Sequence, residues 1–125
     1  MSGEAPLVVV ADDDEDILML VRACLAAGGY QIEVARDGDA ALSLVQERHP
    51  AAAVLDIAMP GLDGLEVLTR LREDPATSEL PVVLLSARAQ EQDVAHGYEL
   101  GASKYVRKPF SPRELLAAVD ALLKP

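Results

Sequence analysis

The chain has one cysteine, Cys24, which excludes an internal disulfide. It has no tryptophan, and only three tyrosines and one phenylalanine in 125 residues. Any packed interior must therefore be built from Val, Leu, Ile and Ala. Basic residues are the minority: 11 Lys and Arg against 21 Asp and Glu, a net charge of -10. Unaided binding to nucleic acid or to an anionic membrane needs a basic surface, so this balance argues against both. It suits an acidic cation site or a basic partner. No apolar run approaches the roughly 20 residues of a membrane span. The N-terminus lacks a basic region followed by a long apolar stretch, so it does not read as a signal peptide. A cytoplasmic protein is expected, with no direct contact to nucleic acid or membrane. The length suits one compact domain with a substantial core, and no linker or low-complexity segment divides it, so a single domain over residues 1–125 is expected.

What is present is an alternation of two kinds of apolar segment. Leu7–Ala11, Ile32–Ala35, Ala51–Leu55, Pro81–Leu85 and Tyr105–Arg107 are short, and most are continuously apolar. Such runs suit strands of a parallel sheet covered on both faces. Between them lie segments with helical periodicity. Ile17, Leu20, Val21, Cys24 and Leu25 form one stripe, ended by Gly28-Gly29; Cys24 reads there as a buried core thiol, with no histidine beside it. Ala41, Leu44 and Val45 form a second stripe, Leu65, Leu68 and Leu71 a third, and Leu115, Leu116, Val119, Leu122 and Leu123 the last. The segment from Glu91 to Leu100 is the weakest helix, with few apolar residues and Gly97 inside it, as a movable element would be. Five strand–helix units with right-handed crossovers predict an α/β doubly wound three-layer sandwich. Its five-stranded parallel sheet would follow the flavodoxin-like order 2-1-3-4-5, with five helices.

In such a sheet, ligands bind outside the carboxyl ends of the strands. Asp12 and Asp13, Asp56, Ser86 and Lys108 each lie just past a predicted strand end, so three carboxylates, a hydroxyl and an ammonium should converge. That equipment can hold a hard cation, accept a phosphoryl group and register its arrival. Within the acidic run 12–16, Asp14, Glu15 and Asp16 read as a helix N-terminus. That reading does not account for Asp12 and Asp13, whose crowding calls for a compensating cation such as Mg²⁺. Asp56 alone could be a helix cap, a metal ligand or a nucleophile. Beside two other carboxylates and a metal it can form an acyl phosphate. Ser86 alone could be a cap and Lys108 a solvated side chain; their shared position gives them weight. His49 and His96 read as surface residues, and Tyr30 and Tyr98 as packing residues.

The motifs VVVADDDED at 8–16, VLDIAMPGLDG at 54–64, LLSA at 84–87 and YVRKPF at 105–110 stand in order across nearly the whole chain. Together they make the sequence resemble the receiver domain of a bacterial two-component response regulator. The resemblance implies a phosphorylation-controlled signalling switch. Asp56 would be the phosphoacceptor, loaded by a sensor histidine kinase or phosphotransfer protein. Mg²⁺ would be held by Asp13 and Asp56, by Asp12 directly or through water, and by the backbone carbonyl of Ala58. Ser86 would be the switch hydroxyl, Lys108 the family's lysine before a cis proline that aims it, and Tyr105 the aromatic that turns inward. The fourth helix, fifth strand and fifth helix would form the surface that regulates an effector protein or domain. Catalysis would be self-directed only: phosphoryl transfer onto the chain and its own dephosphorylation. The chain would be a monomer or a weak phosphorylation-dependent dimer, and either a stand-alone receiver or part of a longer regulator.

Several positions depart from the family pattern. Ala58 stands where many receivers carry a polar side chain, and Arg88 lies two residues past the switch hydroxyl; both flank the path of a hydrolytic water. The run Gly101-Ala102-Ser103-Lys104 lacks the acidic pair of the winged-helix class, and Ala118 and Asp120 stand where that class often has basic residues. Two rival functions differ in kind. An Mg²⁺-dependent phosphatase of the haloacid dehalogenase type would use an Asp-x-Asp-x-Thr/Val pattern, which Asp12-x-Asp14 fits but Asp16 breaks. A pseudo-receiver would bind partners without phosphorylation, and would have no need of the full set of acids with Ser86 and Lys108.

Overall fold

The computed structural model describes residues 5–87 and 90–124. Five parallel strands, β1 (Leu7–Ala11), β2 (Gln31–Ala35), β3 (Ala52–Asp56), β4 (Val82–Ser86) and β5 (Lys104–Arg107), alternate with five helices. The helices are α1 (Glu15–Ala27), α2 (Gly38–Arg48), α3 (Gly64–Glu73), α4 (Glu91–Glu99) and α5 (Pro112–Leu123). The strands lie in the order β2-β1-β3-β4-β5, the doubly wound arrangement expected from the sequence. Asp56 and Ser86 are the last residues of β3 and β4 rather than the residues after them. The ladder runs one position further than the apolar runs, with Asp56 facing Leu85 and Ser86 facing Arg107.

Alternation along each strand divides the interior in two. Val8, Val10, Val54 and Leu85 face α1 and α5, against Leu18, Val21, Leu25, Leu115 and Val119. Val9, Ala11, Leu55 and Leu84 face the other side, against Ala41, Val45, Val67, Leu68 and Leu71. The central strands are buried on both faces, so they read as continuous apolar runs. In α1 the buried stripe is Leu18, Val21 and Leu25, whereas Leu20 is exposed together with Met19. Cys24 is only half-buried, and its Sγ donates to the Pro112 carbonyl at 3.0 Å. Burial pushes this thiol up from its ordinary pKa.

Caps fix where the helices begin. Asp14 caps α1 through the Asp16 and Ile17 amides, which is the role the acidic run predicted for it. Asp63 with Glu66, and Ser111 with Glu114, close capping boxes on α3 and α5. By contrast, α4 has no side-chain cap at Gln90, and its one buried residue is Gly97, in keeping with a weakly held element. Tyr30 is buried and donates to Asp120 Oδ1 at 2.5 Å, while Lys124 pairs with Asp120 at 3.3 Å. His49 and His96 are exposed, as expected. Among the described residues, no helix is long and apolar enough to cross a membrane.

Candidate functional site

The switch point between β1 and β3 brings Asp12, Asp13 and Asp56 together. One carboxylate oxygen from each lies within 4.8 Å of the others. Their environments differ. Asp12 is fully buried and Asp56 is 4% exposed, whereas Asp13 faces solvent. The Asp12 side chain accepts from the Asp14 amide at 3.0 Å, and the Asp12 amide donates to the Ala35 carbonyl at 3.1 Å. The first acid is thereby locked into the sheet, and the second is turned toward the opening.

Lys108 completes the cluster from beyond β5. Its Nζ donates to Asp12 Oδ2 at 2.9 Å and to Asp56 Oδ1 at 3.1 Å. Its backbone amide is held by the Ser86 carbonyl at 2.8 Å, and the Lys108-Pro109 bond is cis. Burial disfavours the ammonium, but the Asp12 and Asp56 carboxylates outweigh it and hold the Lys108 pKa above its ordinary value. Asp56 moves the other way from most paired acids. Burial, helped by Asp12 and Asp13 and opposed by Lys108, pushes its pKa up to about 6. One ammonium does not neutralise three carboxylates, so a site of this composition fits a hard divalent cation.

The backbone around Asp56 is equally constrained. The Ile57 amide donates to the Leu85 carbonyl at 3.0 Å, and the Gly64 amide to the Ile57 carbonyl at 2.9 Å. Position 64 must be glycine: a Cβ there would stand 2.3 Å from the Asp56 carbonyl oxygen. Gly61, at φ 72°, closes the turn that begins at Met59-Pro60. Ala58 is exposed on this loop, two residues past Asp56. Ser86 is buried at the end of β4. Tyr105 is half-buried on β5, packed against the α2–α3 side of the core. Arg88 lies outside the described residues.

The structure thus gathers the predicted acids and Lys108 into one contact set, with Ser86 and Ala58 on the adjoining chain ends. It also corrects the reading of Tyr98 as a packing residue. Tyr98 is 44% exposed rather than packed, and its hydroxyl accepts from the Tyr105 backbone amide at 3.1 Å. A tyrosine in a sparse helical pattern carries no signal of such a bond. A groove of about 460 Å³ lies away from the carboxylates, bordered by Thr69, Arg70 and Glu73 of α3 and by Leu100. It does not share the carboxylate–lysine arrangement.

Residues 8–120 match the family model described as the response regulator receiver domain. The chain is 40% identical over 119 residues to the phosphate regulon transcriptional regulatory protein PhoB of Rhizobium meliloti, covering 95% of this chain and 52% of that protein. It is 41% identical over 117 residues to the alkaline phosphatase synthesis transcriptional regulatory protein PhoP of Bacillus subtilis, covering 94% and 48%. The chain therefore spans about half the length of these relatives. Among solved structures, a putative response regulator from Chloroflexus aurantiacus superposes with a TM-score of 0.92 at 31% identity, covering 98% of this chain and 100% of that one.

Proposed function

The chain belongs to the response regulator receiver domain family, whose members are phosphorylation-controlled signalling switches, and we propose that Asp56 is its phosphoacceptor. The observation that carries this is the three-carboxylate cluster with Lys108 bridging Asp12 and Asp56. An Asp56 carboxylate oxygen attacks the phosphorus of a phosphohistidine on a sensor histidine kinase or phosphotransfer protein. The phosphorus–nitrogen bond breaks, the imidazole leaves with the electron pair, and an aspartyl phosphate remains. With a pKa of about 6, Asp56 is mostly ionised at neutral pH and available as a nucleophile. The setting proposed is the cytoplasm.

Asp12, Asp13, Asp56 and the Ala58 carbonyl would hold Mg²⁺. When bound, the cation supplies compensation for the negative charge shared by the carboxylates and the incoming phosphoryl group. Lys108 sits within hydrogen-bond reach of Asp56 and is placed to contact a phosphoryl oxygen. Ser86 would donate to the same group, Tyr105 would turn inward, and α4, β5 and α5 would present the altered surface. The chemistry stops at the chain itself, as transfer to Asp56 followed by self-dephosphorylation. Turnover of a phosphate ester such as p-nitrophenyl phosphate would overturn this in favour of a phosphatase. The downstream partner is an effector protein or domain. The names of the two relatives support transcriptional control as the output, with the domain itself not touching nucleic acid. In this reading it is a monomer or a weak phosphorylation-dependent dimer.

Two expected results test parts of the site. Mg²⁺ bound only by the folded chain must raise stability by linkage. Millimolar Mg²⁺ at about ten times its dissociation constant should add about 1.4 kcal/mol, and Asp13→Ala should lose most of that gain. Thermal unfolding with and without Mg²⁺ measures it; an equal rise in both proteins would indicate ionic screening. Separately, Ala58 is exposed beside Asp56 and offers no group to orient a hydrolytic water. Ala58→Asn should speed phosphate loss several-fold by positioning that water. Decay at the parent rate after donor removal would show that position 58 does not set the lifetime.

A further inference from the structure

The helix α4 is attached to the domain unevenly. Its first turn has no side-chain cap at Gln90, and Gly97 is its one buried residue. Its C-terminal end is held firmly: Arg72 Nε and Nη2 donate to the Gly101 carbonyl at 3.1 and 2.8 Å, and the Ala102 amide donates to the Gly97 carbonyl at 3.1 Å. Two consecutive residues of the helix then grip Tyr105. A Cβ at Gly97 would stand 3.0 Å from Tyr105 Cδ2 and 3.1 Å from Leu84 Cδ1, so the ring lies directly beneath the helix backbone. Next to it, the Tyr98 hydroxyl accepts from the Tyr105 amide at 3.1 Å. β5 is a terminal strand of the sheet, and this bond occupies a backbone donor of that strand from the side chain of a helix. Tyr98 is 44% exposed, so its ring adds little to the core.

We propose that the Tyr98 hydroxyl is a latch that holds the resting arrangement of α4 and Tyr105, and that it positions the switch element for the phosphorylation step. The proposal rests on the reading of Asp56 as phosphoacceptor. The Tyr105 backbone and α4 cannot separate without breaking the bond, so the latch weights the equilibrium against any switched arrangement that moves α4 along or off β5. A ligand that binds better to the switched arrangement has its apparent affinity reduced by the fraction of molecules already in it. Removing one hydrogen bond of ordinary net strength should raise a minor switched fraction about five-fold.

The test uses beryllofluoride, a phosphoryl mimic, titrated calorimetrically into the Mg²⁺-containing protein. Tyr98→Phe keeps the ring and removes the acceptor. Its apparent dissociation constant for beryllofluoride should fall about five-fold below that of the parent chain, and the Tyr105 amide should exchange faster without ligand. A bond that serves only stability would lower the unfolding midpoint and leave the dissociation constant unmoved. If the parent binds beryllofluoride and Tyr98→Phe binds it equally well or more weakly, the latch is refuted while the Asp56 reading stands. If the parent binds none, the Asp56 reading fails and the latch fails with it.

Discussion

Replacing Asp56 with asparagine is expected to abolish phosphoryl uptake. With Mg²⁺ and acetyl phosphate, the parent chain should gain one acid-stable, alkali-labile phosphoryl group, and Asp56→Asn should gain at least about 100-fold less. Asparagine keeps the shape and can still accept from Lys108, but its amide has no carboxylate oxygen with which to form an acyl phosphate. Asp12 and Asp13 cannot simply replace it. Asp12 is buried and already bonded to Lys108 and to the Asp14 amide, while Asp13 is exposed, and the Lys108 bonds go to Asp12 and Asp56. Intact-mass measurement before and after alkali reads the result directly. Undiminished labelling of Asp56→Asn would place the acceptor elsewhere.

The same substitution should have an opposite-looking effect on the metal-free protein: greater stability. In the fold the Asp56 pKa stands at about 6, above its ordinary value of 3.8, chiefly because burial penalises the charged form. The folded chain therefore holds a proton there more tightly than the unfolded chain does. Above about pH 6 the ionised carboxylate is a cost to the fold. That cost is relieved as pH falls from about 6 towards 4, where the folded form takes up its proton first. The shift corresponds to at most about 3 kcal/mol. Asp56→Asn should accordingly unfold at a higher temperature than the parent chain in chelator at pH 7.5, by several degrees. The difference should shrink at pH 4.5, and saturating Mg²⁺ should narrow or reverse it. A parent chain as stable as Asp56→Asn in chelator at pH 7.5 would mean that Asp56 carries no such burden.

Much of this arrangement was legible in the sequence because it depends on periodicity and position. Val8, Val9 and Val10 read as a doubly covered strand, and they do serve both cores. The five separated positions read as one site because strand ends in a parallel sheet share an edge. What escaped depends on packing that adjacent residues share. Asp12 and Asp13 look alike in the sequence, yet the final turn of the strand sends one inward and the other to solvent. The sequence reading places Leu20 in the α1 stripe and leaves Leu18 out, yet Leu18 is the buried one and Leu20 is exposed. The reach of Tyr98 to a backbone amide seven residues on depends on how the α4–β5 connection folds back. Local pattern does not encode that.

With two hydrogen bonds from Arg72 fixing the Gly101 carbonyl, a tilt of α4 would pivot at its C-terminal end. The pivot is the end at Gly101, and the arm runs back to Glu91. At a rise of about 1.5 Å per residue, Tyr98 lies roughly 4.5 Å from the pivot and Glu91 roughly 15 Å. The arm therefore magnifies about three-fold, and a stretch of about 0.5 Å at the Tyr98 hydroxyl carries the start of the helix through about 1.5 Å. A tilt too small to unpack the core could in this way present a different outer surface to a partner.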